Sequence, residues 1–164
     1  MKEKIYNMLN EQIQKEFESA YAYLDIAAFF DSLALSGFSR WYKIQAEEEE
    51  KHAMRIYDYI YESGHMVKLL PLSTLKDKPK SILGALNLAL THEEEITGMI
   101  NTINSAAIRE EDYATQNFLV WFIAEQREEE SSARKMIEDY KMFGGSSEGL
   151  YLLNEKLMKR KGEC

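Results

Sequence analysis

Cysteine and proline are nearly absent from this chain of 164 residues, which holds one of the first (Cys164) and two of the second (Pro71 and Pro79). A single cysteine excludes an internal disulfide framework and fits a reducing compartment, so the expected location is the cytoplasm. With only two prolines and eight glycines, few breaks are written into the backbone, which leaves room for long helices. Long apolar runs are missing too. The longest, over 118–124, falls far short of the roughly 20 residues that span a bilayer, so no membrane association is expected. The opening Met1-Lys2-Glu3-Lys4 leads into an amphipathic stretch and not into the apolar core of a signal peptide. Positive charge is scarce: 20 Lys and Arg stand against 28 Asp and Glu, a net charge of −8. That balance argues against nucleic acid as a partner and permits attraction of cations.

What is present is helical periodicity. Four long segments carry apolar residues in alternating steps of four and three, one continuous stripe each. The first runs Leu9, Ile13, Glu16, Ala20, Tyr23, Ala27, Phe30, and the second Phe38, Tyr42, Gln45, Glu49, His52, Ile56, Tyr59. The third runs Ile82, Leu86, Ala89, Glu93, Ile96, Ile100, Ile103, Ala107, and the fourth Thr115, Leu119, Phe122, Gln126, Glu129, Ala133, Met136, Tyr140. The predicted fold is all-α, a four-helix bundle in one domain over 1–164, with the bundle near 5–143 and a short C-terminal helix near 147–159. A link around Ser36-Gly37 makes the first two helices antiparallel neighbours, and Glu110–Asp112 does the same for the last two. Gly64 reads as a helix stop and Pro79 as a first-turn residue. The segment between them, about 15 residues, reaches roughly 50 Å when extended, enough to run the length of the bundle and set the second and third helices parallel. After Gly144-Gly145-Ser146-Ser147, a serine caps a short fifth helix lined by Leu150, Leu153 and Leu157. In a filled four-helix core that face has no partner, so it is expected to pack on other subunits.

Each stripe is interrupted by polar residues near its middle, and the interruptions repeat at a fixed offset. Glu16 pairs with Glu93, Glu49 with Gln126, and His52 with Glu129, each 77 positions apart, as are Glu48 and Glu125. In a bundle, Glu16, Glu49, His52, Glu93, Gln126 and Glu129 enter the core at one level. Ionisable groups there are costly unless a cation compensates them. Residues three apart share a helix face, so Glu49 with His52, and Gln126 with Glu129, can each address one centre. Carboxylates with one imidazole suit iron or manganese better than a closed zinc or copper site. A Glu-x-x-His pair alone is weak, and runs such as 47–50 and 128–130 are commonly solvated faces. Four helices interrupting their stripes at the positions the offset demands is a stronger pattern. Tyr23, two turns beyond Glu16, reads either as a core tyrosine or as a hydrogen-bonding or redox-active neighbour of the metals. Trp121 reads as packing, His65 and His92 as surface or contact residues, and the eight methionines as gap-fillers.

The pieces Glu48-Glu49-x-x-His52, His92-Glu93, Trp121-x-x-x-Glu125-Gln126-x-Glu128-Glu129-Glu130 and Gly149-Leu150-Tyr151 together resemble the ferritins, specifically the haem-free bacterial type, nearly end to end. The resemblance implies a bundle with a long crossover and a fifth helix, assembled as a homo-oligomer of 24 subunits around a cavity. It implies oxidation of Fe(II) by dioxygen or hydrogen peroxide and storage of ferric mineral. By position, Glu16, Glu49 and His52 match ligands of a first iron, with Glu49 bridging. Glu93, with Glu129, matches the surroundings of a second. Gln126 matches a site residue that hydrogen-bonds an oxygen species or water, and Tyr23 the tyrosine beside the pair. Glu48, Glu125, Glu128 and Glu129 match an extra acidic site for a third iron. No haem is expected: a bacterioferritin would carry a methionine where Glu50 stands and a second Glu-x-x-His in place of Gln126-Arg127-Glu128-Glu129. A rubrerythrin would need cysteines that one Cys cannot supply. Read from the residues alone, two rivals stay open: a di-metal enzyme acting on an organic substrate or peroxide, and a purely structural bundle.

Overall fold

Residues 1–74 and 78–162 are described by the structure, a computed structural model; Cys164, which carried the redox expectation, lies outside them. Five helices follow one another: α1 (Glu3–Ser32), α2 (Ser36–Glu62), α3 (Ile82–Arg109), α4 (Tyr113–Phe143) and α5 (Ser147–Leu157). The first four correspond to the four stripes. Leu9, Ile13, Phe30, Phe38, Ile56, Leu86, Ile100, Leu119 and Phe122 are all buried, because a stripe with the helical period turns one continuous face inward. No described helix is long and apolar enough to cross a membrane.

The core is divided. One apolar cluster, around Phe30, Phe38, Tyr42, Leu86 and Met136, fills the end of the bundle where α5 sits. A second, around Ile5, Leu9, Ile60, Ile100, Leu119 and Phe122, fills the other end. Between them lies a layer of buried polar side chains from all four long helices.

The crossover fixes the topology. Tyr6 donates to the Met66 carbonyl (2.7 Å), Asn10 Oδ1 accepts from Lys68 N–H (2.7 Å), and Gln14 donates to the Pro71 carbonyl. Further on, Glu18 Oε1 accepts from Ser73 N–H (3.0 Å) and its hydroxyl (2.8 Å), and Lys78 pairs with Asp25. Positions 6, 10, 14 and 18 are one edge of α1 at helical spacing. The segment therefore climbs α1 from foot to top, and α3 starts at the end where α2 started, so the two run parallel.

Three boundary readings need correction. The turn between α1 and α2 is Leu33–Leu35, and Ser36-Gly37 already belong to α2. Ala34 takes the left-handed conformation (φ 57°) that closes α1, with Leu35 N–H donating to the Phe30 carbonyl and Ala34 N–H to Asp31. The glycine serves packing instead: a Cβ on Gly37 would lie 1.9 Å from the Asn154 carbonyl oxygen. Pro79 precedes the start of α3, which Ser81 caps by accepting from Gly84 N–H at 3.0 Å. The leucine face of α5 is covered by its own chain: Leu153 and Leu157 are buried in the first cluster and Leu150 packs on it. What α5 leaves uncovered is Tyr151 and Leu152, each 61% exposed. Gly64 (φ 78°) closes α2 and Ser146 caps α5, in line with the sequence.

Candidate metal centre

Glu16 from α1, Glu49 and His52 from α2, Glu93 from α3, and Gln126 and Glu129 from α4 all lie in the polar layer, every one of them buried. Their ligand atoms form three overlapping trios, each mutually within 4.8 Å: Glu16–Glu49–His52, Glu49–Glu93–Glu129, and His52–Glu125–Glu129. Glu49 is shared by the first two trios. Glu129 is shared by the second and third. His52 is shared by the first and third, so the three trios form one interlocked cluster that reaches from the bundle core to Glu125.

The electrostatics of the layer are set by burial of several carboxyls close together. Burial, the largest cause, raises the Glu16 carboxyl to about 7, and like charge from Glu93 adds to it. Burial pushes Glu49 and Glu129 well above the usual carboxylate range, and neighbouring carboxylates push the same way. Glu93 is raised by burial, against the lowering effect of its hydrogen bonds. Burial, then the charges of Arg55 and Lys51, lowers His52 to about 4, so the imidazole is neutral at pH 7, the form that binds metals. Its Nδ1 lies 3.7 Å from Glu49 Oε2 and 4.0 Å from Glu129 Oε1. Glu16 Oε2, Glu49 Oε1, His52 Nδ1 and Glu129 Oε2 are all buried without a hydrogen-bond partner. Buried polar atoms are seldom left so, and unpartnered atoms on members of overlapping ligand trios are what a bound cation would satisfy.

Tyr23 and Gln126 reach the layer but face Glu93. The Tyr23 hydroxyl donates a short hydrogen bond to Glu93 Oε1, and Gln126 Nε2 donates to Glu93 Oε2 at 3.1 Å. Burial, then the Glu93 charge, keeps the Tyr23 phenol un-ionised well above its ordinary range. Glu93 is thereby held at both oxygens. Glu48, Glu125 and Glu128 line one small cavity of about 60 Å³ with Gln45, Glu129, Ser132 and Arg160, on the α2–α4 face. Trp121 packs edge-on to His52 (5.3 Å between ring centres) while the Arg55 guanidinium lies 4.1 Å from its own ring centre.

Sequence reasoning missed several supporting residues. Gln12 Nε2 donates to Glu16 Oε1 at 2.8 Å, and Gln45 Nε2 donates to Glu129 Oε1 at 3.1 Å. Each glutamine stands one turn before a candidate ligand, Gln12 before Glu16 and Gln45 before Glu49; that spacing was the available signal. Thr97 donates to Glu130 (2.6 Å) beside Gln126. Arg160, in the C-terminal tail, carried no signal at all.

Comparison with known proteins adds independent findings. A family model described as "Ferritin-like domain" matches residues 6–143. A bacterial non-heme ferritin of Staphylococcus saprophyticus is 35% identical over 160 residues, covering 98% of this chain and 96% of that protein. That of Staphylococcus aureus is 34% identical with the same coverage. Among solved structures, a humanized archaeal ferritin superposes with a TM-score of 0.97 at 37% identity, covering 100% of this chain and 99% of that one. A closed form engineered from the Archaeoglobus fulgidus ferritin gives 0.96 at 39% identity, covering 99% of each.

Proposed function

The chain belongs to the ferritin family, and we propose that it oxidises Fe(II) at the buried carboxylate layer and stores the ferric product inside a hollow homo-oligomeric shell, of 24 subunits by family resemblance, in the cytoplasm. The single observation that carries this reading is the set of unpartnered buried atoms of Glu16, Glu49, His52 and Glu129. Iron is the substrate and cargo here. The donor set, carboxylates plus one neutral imidazole, suits it.

In this reading two Fe(II) ions enter the first two trios, with Glu49 between them. Each loses one electron, and one dioxygen accepts both, leaving as hydrogen peroxide after taking up two protons. With hydrogen peroxide as oxidant, the same two electrons yield two waters. Burial favours the protonated form of Glu16, Glu49 and Glu129, and those protons must leave for iron to bind. The half containing α3 and α4 has no histidine at the position matching His52, having Gln126 and Glu129 where the first half has Glu49 and His52. The second trio is therefore all carboxylate, and one of its members, Glu129, also belongs to the third trio. That inequality favours passage of Fe(III) along Glu129 and Glu125 over a permanent di-iron cofactor.

Replacing Glu49 and His52 together with alanine tests the site. The fast phase of Fe(II) oxidation, followed in a stopped-flow instrument, should be lost while light scattering shows an unchanged particle. A fast phase surviving in the intact particle would refute the assignment.

A further inference from the structure

The cavity at the α2–α4 face already contains a cation. Beyond α5 the chain turns back, and Arg160 lays its guanidinium over Trp41, 4.0 Å from the ring centre. Arg160 Nη2 meets Glu48 Oε2 at 2.5 Å, and Nη1 donates to Gln45 Oε1 (2.8 Å) and the Trp41 carbonyl (3.3 Å). An aromatic face, a carboxylate, an amide and a carbonyl are together a built seat for a guanidinium. The side chain is 18% exposed, so it fills the cavity mouth and does not trail in solvent. The other walls are Glu125, Glu128 and Glu129.

Gln45 links this cation to the buried centre. Its carbonyl oxygen accepts from Arg160 and its amide nitrogen donates to Glu129 Oε1. The guanidinium thus fixes which way the Gln45 amide points. That amide holds the carboxylate shared by the second and third trios. Any cation moving from Glu129 toward Glu125 comes up against the positive end of Arg160.

We propose that Arg160 is a tethered counter-ion that closes the mouth of the metal centre at the α2–α4 face, and that iron leaving the buried pair toward Glu125 must displace it. This rests on the reading of the buried layer as an iron site. Arginine stays charged at every relevant pH, so the seat empties only by movement of the tail. The tail's remaining holds are few: Arg40 donates to the Arg160 carbonyl at 3.4 Å, and Lys159 and Arg160 N–H groups close the last turn.

Anaerobic Zn(II) binding to the assembled protein tests it, with occupancies at the three positions read by anomalous diffraction. Zinc is a redox-inert stand-in for Fe(II). In Arg160→Gln the outer position, at Glu125 and Glu129, should bind Zn(II) about tenfold more tightly, the effect of removing one charge-assisted competitor. Arg160→Lys retains the charge, and its outer affinity should stay within about threefold of the parent. An outer affinity unchanged in Arg160→Gln, with the buried pair filled, overturns the proposal. A parent protein whose buried pair takes up no Zn(II) overturns the iron-site reading, and this one with it.

Discussion

Glu49, His52 and Glu129 are each shared between two of the ligand trios. Their protonation has a consequence for the metal-free protein. A carboxyl raised by folding is more protonated in the native chain than in the unfolded one, so it erodes stability as pH rises through the interval between its two pKa values. Glu16 does this from its ordinary 4.5 to about 7, and Glu49, Glu93 and Glu129 act in the same sense. His52, lowered from 6.5 to about 4, works oppositely within that interval and ceases to matter above it. From pH 6.5 upward the carboxyls act alone. Denaturation of the metal-free protein should therefore show a midpoint that falls between pH 6.5 and 8, with a shallower fall in Glu129→Gln. A midpoint that rises over that range would contradict the assigned shifts. The six candidate ligands were legible because polar types in register across four apolar stripes stand out. Gln12, Gln45 and Arg160 were not: glutamine on a stripe edge is common, and no local pattern brings a tail residue to a cavity 112 positions away from its partner Glu48.

At the scale of elements, the helices were legible from period alone, and their ends were not. Three helices, α1, α2 and α3, close with a left-handed residue, but only α2 uses glycine there; α1 uses Ala34 and α3 uses Glu111. The glycine signal thus pointed to Gly37, where the constraint comes from α5. Asn154 Oδ1 accepts from Gly37 N–H at 2.8 Å and Phe38 N–H at 3.3 Å, so a side chain of α5 satisfies the free donors at the head of α2. Gly37→Ala must push these helices apart and is expected to cost about 1–3 kcal/mol, measured as a shift in the denaturation midpoint of the purified protein. An unchanged midpoint would mean that α5 does not dock as described. The long crossover was legible as a spanning segment, since its length matched the bundle. Its anchoring on Asn10, Gln14 and Glu18 was hidden, because none of the three stands on the apolar stripe of α1.

For the whole molecule, the 77-residue offset describes two helix hairpins that meet at one polar layer, α1 with α2 and α3 with α4. The scaffold is duplicated and the ligand set is not, since His52 faces Glu129 and Glu49 faces Gln126 across the repeat. A symmetric set would hold two metals alike. This one places its single imidazole, His52, in the first and third trios and leaves the second to carboxylates alone. Tyr151, Leu152, Met142 and Phe143 remain exposed around α5, and the proposed shell gives them something to cover. The most direct measurement is iron retained per chain after aerobic addition of excess Fe(II), determined on the particle separated by size. Storage predicts iron far beyond the three ligand trios of each chain, co-migrating with a large particle of unchanged diameter. Uptake that stops at the capacity of those trios would show a resident metal site and no store.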